Sequence, residues 1–191
     1  GFVAMEVSSH ALVLGRVDAL TFDVAVFTNL SHDHLDFHGT MDEYFAAKAL
    51  LFTPDHARRG VVFVDDPAGS RLAGQAPIPI TPVRRSDATE VSCSLRGSTF
   101  TWRNHDVELS IPGRVNVDNA LVALTAAGEL GLDLDRAIEG LASMAPIPGR
   151  LERIVSHESS APTVLVDYAH TPGGLETVLA DLRLLMGHRG R

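Results

Sequence analysis

Val24-Ala25-Val26-Phe27-Thr28 runs directly into Asn29-Leu30-Ser31-His32-Asp33-His34-Leu35-Asp36-Phe37-His38, and this join decides the fold class. The first five residues are apolar or β-branched without alternation, as in a parallel strand buried on both faces. The residues after them are polar and titratable, and open α/β sheets gather ligands in loops at the carboxyl ends of their strands. The pattern recurs outward along the chain. Phe2–Val7, Val61–Asp65 and Thr163–Val166 are similar short apolar runs. Helical patterns lie between them. Met41–Phe52 carries Tyr44, Phe45, Leu51 and Phe52 among alanines, a spacing that suits an amphipathic helix. Pro67 after Asp65-Asp66 suits a first helical turn. Asn116–Leu130 is rich in alanine and leucine, lacks proline and stops at Gly131, and Asp135–Met144 reads as a second helix.

Ser92–Phe100, with Gly97 as its turn, and Asp106–Ile111 alternate apolar and polar residues like antiparallel strands. Ala145-Pro146-Ile147-Pro148-Gly149-Arg150 then punctuates the chain. Beyond it come the strand at Val164 and a helix over Leu175–Met186 with Pro172 near its start. The expected fold is α/β. Residues 1–150 form a mostly parallel sheet with a small antiparallel part, and 151–191 supply the first strand and helix of a second domain.

Composition narrows the function. The net charge of -8 argues against nonspecific nucleic-acid binding. No apolar run approaches the roughly 20 residues of a membrane span, so no membrane partner is expected. Cys93 is the only cysteine, which excludes an internal disulfide and any CxxC motif. A cytoplasmic location is expected. The start, Gly1-Phe2-Val3-Ala4-Met5-Glu6, lacks the basic region of a secretory signal. It reads as a strand already begun, and the end stops without a finish, so both suggest a chain cut from a longer one.

Three His and two Asp within His32–His38 could serve metal binding or acid–base chemistry, or could form a polar loop capped by its own side chains. The run also begins like the H-x-H-x-D-H signature of dinuclear zinc hydrolases of the metallo-β-lactamase type. There Phe37 stands where His is needed, His38 comes one place late, and only His105 and His157 are loosely placed as further ligands. Met5-Glu6-Val7-Ser8-Ser9-His10 sets a carboxylate and two hydroxyls at the end of the first apolar run, and Phe45-Ala46-Ala47-Lys48 sets a lysine among small residues. By residue type alone Glu6 reads as a surface acid or cap, Lys48 as a snorkelling surface lysine and Asn116 and Asn119 as caps. Cys93 and Trp102 read as packing, and His32 as surface.

With Val115-Asn116-Val117-Asp118-Asn119-Ala120, Pro148-Gly149-Arg150-Leu151-Glu152 and Val166-Asp167-Tyr168-Ala169-His170-Thr171-Pro172, these motifs in this order resemble the Mur ligase family. The resemblance covers nearly the whole chain and is strongest to the branch that adds the third residue of the muramoyl peptide. It implies a central ATPase-type domain followed by the start of a Rossmann-like C-terminal domain. It implies an ATP- and Mg²⁺-dependent ligase that joins a diamino acid, meso-diaminopimelate or L-lysine, to UDP-MurNAc-L-Ala-D-Glu through an acyl phosphate. A monomer is expected. Folylpolyglutamate-type and cyanophycin-type ligases are alternatives within the family.

The resemblance also implies roles. Glu6 and His34 match Mg²⁺ ligands, and Lys48 matches a lysine that is carbamylated to ligate a second Mg²⁺. Ser8 and Arg16 match positions that hold the muramoyl peptide, with Leu14 standing where relatives often have Gln. Asn119 matches a residue near adenine, Arg150 an arginine that reaches the ATP phosphates when the domains close, and Asp167 an acid on the ribose, with His170 bordering the same cleft. Asp33 and Asp36 are expected to brace the loop. The family's phosphate-binding loop, G-x-x-G-K-[ST], precedes the position of Glu6 and does not occur in these 191 residues.

Overall fold

The computed structural model describes residues 1–154 and 163–186. His157, weighed above as a zinc ligand, lies outside them. The chain divides into two compact units, Gly1–Val83 and Arg84–Arg191, and the boundary expected near residue 150 falls inside the second.

In the first unit α1 (Ser9–Val13), β1 (Ala25–Phe27), α2 (Leu35–His38), α3 (Met41–Ala49), β2 (Gly60–Phe63), α4 (Pro67–Gln75) and β3 (Ile80–Val83) follow in order. The strands pair in parallel as β1-β2-β3, with Ala25 opposite Gly60 and Gly60 opposite Ile80. The central strand β2 is buried at all four positions, as its unbroken apolar run requires. Phe27, Phe45, Phe52, Val62, Leu72 and Ile78 form the core beneath it. Thr40 and Glu43 close a capping box that starts α3. Asp66 caps α4, its carboxylate accepting from the Gly69 N–H at 3.0 Å, with Pro67 in the first turn.

Gly69 is required for a steric reason. A Cβ there would lie 2.0 Å from the Phe63 carbonyl oxygen, because α4 sits directly against β2. Gly69→Ala is expected to push the helix off the strand and destabilise the unit by about 2 kcal/mol. A thermal or urea melt checks this, and an unchanged midpoint would contradict the packing described.

Three features of this unit differ from the sequence reading. Phe2–Val7 is not a strand: no strand lies beside it among the described residues, and Phe2 and Val3 are 70% and 92% exposed. An apolar run becomes a strand only when its backbone groups find a partner. Val26 in β1 is exposed as well, so only one face of that strand is covered. β3 was not foreseen, because Pro82 argues against a strand interior; it is tolerated at the sheet's edge.

The second unit holds an antiparallel sheet of β4 (Thr89–Ser94), β5 (Gly97–Trp102) and β6 (His105–Leu109). Gly97 begins β5 rather than forming the turn, which falls on Leu95-Arg96. Two helices, α5 (Arg114–Glu129) and α6 (Leu134–Ala142), pack on β5 and β6 respectively, and Phe100, Trp102, Val107 and Leu109 of the sheet are buried, as are Val117, Leu121 and Leu124 of α5. Trp102 is packing, as expected. The cap of α5 is Gly113 at φ 99°, so the helix begins at Arg114, two residues ahead of the expected start. Asn116 therefore lies inside the first turn, where its amide donates to the Pro112 carbonyl at 2.7 Å. Beyond it β7 (Glu152–Ile154) pairs antiparallel with β8 (Val164–Val166), and α7 runs over Pro172–Met186. Val164 and Val166 are exposed, so β8 is a two-stranded ribbon and not the doubly buried strand expected.

Candidate functional site

The first unit brings His34 and Lys48 to the ring of Tyr44, with Glu6 near enough to Lys48 to act on its charge. Lys48 lies one helical turn after Tyr44 on α3, and its Nζ sits 5.2 Å from the ring centroid. The amine is half-buried, and that burial lowers its pKa below the ordinary lysine value; the nearby Glu6 carboxylate pulls in the opposite direction. Burial wins, which enlarges the fraction of neutral amine.

His34 begins α2 in the left-handed conformation, φ 56° and ψ 23°. For a residue with a Cβ this costs about 1 kcal/mol. Asp33 offsets it: its Oδ1 accepts from the His34 N–H at 2.8 Å and lies 3.7 Å from Nδ1. Asp33 thus braces the loop as expected. The His34 ring meets Tyr44 edge-on at 5.9 Å and His10 at 5.1 Å. Tyr44 is buried, and burial followed by the charge of Asp33 raises its hydroxyl pKa. His32 is exposed, as read from the sequence.

One histidine of the run behaves differently from the others. His38 is 8% exposed, hydrogen-bonds through Nε2 with Ser9 Oγ at 2.8 Å, and stacks on Tyr44 at 5.0 Å with 20° between planes. Its pKa is lowered by burial and then by the neighbouring His10 and His34, against the pull of Glu43 and Asp36. Sequence reasoning missed Ser9, His38 and Tyr44 as a group. Only the four-residue spacing of Tyr44 and Lys48 signalled any part of it.

Ser8 caps α1, its Oγ accepting from the Ala11 N–H at 3.1 Å. Ser8 is thus a helix cap, and its hydroxyl proton remains available. Arg16 is exposed, and its side chain has no ion pair or hydrogen bond among the described residues.

In the second unit Arg150 and Asp167 come together. Gly149 at φ 71° and Leu151 at φ 47° flank Arg150, and Leu151 is buried despite its left-handed backbone. Asp167 holds this strained turn: Oδ2 accepts from the Leu151 N–H and Oδ1 from the Ala169 N–H, each at 2.8 Å. The Arg150 guanidinium lies 5.5 Å from the Tyr168 ring centroid. His170 is exposed, with Nδ1 2.9 Å from the Tyr168 carbonyl oxygen. Asn119 is exposed on α5, one residue after the buried Asp118. Asp118 is clasped by Arg85, with Nε 3.2 and 3.1 Å from its two oxygens and Nη2 at 2.6 Å. No sequence signal joins two residues 33 positions apart.

Among the described residues no group of three or more His, Cys, Asp or Glu is placed to hold a metal ion. That is the wrong donor set for a zinc hydrolase, which needs at least three protein ligands at each catalytic metal. A carboxylate with one or two further donors fits Mg²⁺, which keeps several waters. An ammonium cannot ligate, so Lys48 fits such a site only as an oxygen donor. No helix of the described residues is long and apolar enough to cross a membrane.

Known proteins resemble this chain in sequence and in fold. Residues 1–127 match the Mur ligase middle domain family. The UDP-N-acetylmuramoyl-L-alanyl-D-glutamate–2,6-diaminopimelate ligase of Streptomyces coelicolor is 47% identical over 193 residues, covering 95% of this chain and 38% of that protein. The enzyme of the same name from Synechococcus elongatus is 43% identical over 190 residues, covering 94% of this chain and 38% of its own length. The chain therefore spans under two fifths of these curated relatives. A solved structure of a ligase of that name aligns at TM-score 0.75 and 33% identity, over 93% of this chain and 39% of that one. MurF of Acinetobacter baumannii, at TM-score 0.72 and 23% identity over 86% of this chain and 38% of its own, shares the fold.

Proposed function

The chain belongs to the Mur ligase family, and from that premise we propose that it is the middle part of an ATP-dependent ligase that joins meso-diaminopimelate to UDP-MurNAc-L-Ala-D-Glu. The observation that carries this reading is the half-buried Lys48, the one lysine of the sequence, set over Tyr44 with Glu6 and His34 beside it. The choice of diaminopimelate over L-lysine and over the folylpolyglutamate and cyanophycin alternatives follows the names of relatives at 43–47% identity. Residues 1–150 belong to the ATP-binding domain in this reading, and 151–191 open the C-terminal domain. The ligase works in the cytoplasm as a monomer.

Glu6, His34 and a carbamylated Lys48 would hold Mg²⁺, which would supply positive charge to screen the ATP phosphates and the substrate carboxylate from one another. The chain's own residues do the rest by positioning. Ser8 and Arg16 hold the muramoyl peptide, Arg16 with a guanidinium free for a bidentate carboxylate or phosphate contact. Asn119 lies at the adenine and Asp167 at the ribose, the latter with lone pairs left over from its two backbone contacts. Arg150 is presented by a turn that Asp167 holds, and supplies positive charge to the γ-phosphate during transfer. Closure about residue 150 keeps water from the acyl phosphate until the amine attacks.

The test is amide formation by the complete ligase with ATP, UDP-MurNAc-L-Ala-D-Glu and either diamino acid. Product with stoichiometric ADP and phosphate is expected from meso-diaminopimelate and not from L-lysine; product from L-lysine alone would reverse the substrate assignment. The 191 residues by themselves are expected neither to hydrolyse ATP nor to bind it tightly, because they contain no G-x-x-G-K-[ST] cradle for the β- and γ-phosphates. Submicromolar ATP affinity in calorimetry would contradict this.

A further inference from the structure

Glu6 poses a question that its own contacts do not answer. It is exposed, in a stretch without secondary structure, and makes no hydrogen bond among the described residues. A metal ligand has to be held to within a fraction of an ångström, so something beyond it must fix the chain. The first firm anchor after Glu6 is Ser9, which is 2% exposed. Its Oγ is 2.8 Å from His38 Nε2, across 29 residues of sequence. His38 in turn stacks on Tyr44, whose ring carries Lys48 Nζ at 5.2 Å and the edge of His34 at 5.9 Å. Phe37, with its ring centroid 4.8 Å from that of His38, and His10 at 5.5 Å enclose the stack. The hydrogen-bonded path from the Glu6 segment toward Lys48 therefore runs through two contacts of one buried imidazole, beside the ring contact of His10 with His34.

We propose that His38 is a positioning residue: by its hydrogen bond to Ser9 and its stack on Tyr44 it sets the spacing of Glu6, His34 and Lys48. The inference rests on the metal-site reading given above. Its bland rival is a core histidine that merely fills space and satisfies a buried hydroxyl. The two differ in what a folded variant does. Losing a filler lowers stability and leaves metal affinity alone. Losing a partner that orients metal ligands weakens the metal by about 10- to 100-fold.

The experiment uses the complete ligase with a non-hydrolysable ATP analogue, and reads binding of Mn²⁺ in place of Mg²⁺ by electron paramagnetic resonance. Ser9→Ala removes the hydroxyl with the least disturbance, and His38→Phe keeps a ring on Tyr44 while losing the hydrogen bond. Each is expected to weaken Mn²⁺ about tenfold in protein that still melts cooperatively. The double variant is expected to bind no more weakly than the worse single, since one hydrogen bond is broken in all three. If His38→Phe fails to fold, Ser9→Ala decides alone. Wild-type Mn²⁺ affinity in folded Ser9→Ala overturns the proposal, as do losses that add in the double variant. A wild-type ligase that binds no Mn²⁺ with the nucleotide would instead overturn the metal-site reading beneath it.

Discussion

Lys48→Arg is expected to lower turnover of the complete ligase on the order of 100-fold while leaving the fold and the affinity for the UDP-linked substrate close to wild type. Every other one of the 16 basic residues in the sequence is arginine, so this chain has no general use for lysine on its surface. What lysine offers at this position is an amine that can lose its proton, and burial lowers its pKa toward that state. In the function proposed above the neutral amine attacks CO₂: an N–C bond forms, a C=O π pair moves to oxygen, and the proton leaves to water. The product is an anionic oxygen donor where a cation stood. Arginine keeps its charge at every accessible pH and cannot make this exchange. Loss should appear in kcat, because in the proposed function the metal serves phosphoryl transfer and not capture of the nucleotide sugar. Acetate or formate is expected to restore part of the activity of Lys48→Ala by returning an oxygen donor to the vacated space. Near wild-type turnover by Lys48→Arg would remove the carbamate role and return Lys48 to the class of surface lysines.

Lys48 could be singled out from the sequence because its signal is local. A lone lysine among alanines on a helical pattern can be noticed without tertiary knowledge, although residue type alone made it a surface lysine and only the family resemblance gave it a role. The same holds for β2, whose four apolar residues allow no other environment, and for α5, where alanine and leucine favour one state. Legibility fails where tertiary partners decide. Phe2–Val7 has the composition of a strand, yet composition supplies no neighbour to pair with. Pro82 lowers the strand signal of β3, although an edge position makes it harmless. Gly97 carries a turn signal, but the turn closes on Leu95-Arg96 and the glycine sits where a Cβ would lie 2.2 Å from the Leu109 carbonyl oxygen. In each case the residue type was read correctly and the neighbour was missing from the reading.

The same division runs through the candidate site. His34 and Asp33 stood out as adjacent polar residues after a strand, and they do act on one another. His38 belonged to the same run and looked equivalent, but it is turned inward to a serine 29 positions earlier. Asp167 was marked by its motif as a ligand contact. What the motif could not convey is that both of its oxygens already bind backbone N–H groups, one of them at the strained Leu151. Holding the turn that presents Arg150 does not bar Asp167 from the ribose contact proposed for it, since each oxygen keeps a lone pair.

Asp118→Ala is expected to destabilise the second unit by about 3 kcal/mol, a larger effect than any exposed ion pair of this chain would give. Asp118 is 7% exposed and accepts three contacts from Arg85, while Arg114 Nε lies 3.8 Å from its Oδ1. Arg85 is half exposed and can return to water when its partner is lost. Arg114 cannot do so as readily. Its Nε is buried and has no hydrogen-bond partner, so Asp118 is its compensating charge. Its Nη2 also donates to the Arg85 carbonyl at 3.2 Å, which ties the first turn of α5 to the residues after β3. Removing the carboxylate leaves the buried Nε of a partly exposed guanidinium without its counter-charge and loosens the start of α5, the helix that carries Asn119. Asp118→Asn keeps the shape and one acceptor, and is expected to lose about half as much. Amide hydrogen exchange along α5 in the complete protein is the measurement, because it reports this unit alone. Protection in Asp118→Ala within about 1 kcal/mol of wild type would mean that packing of Val117, Leu121 and Leu124 holds the helix without the clasp.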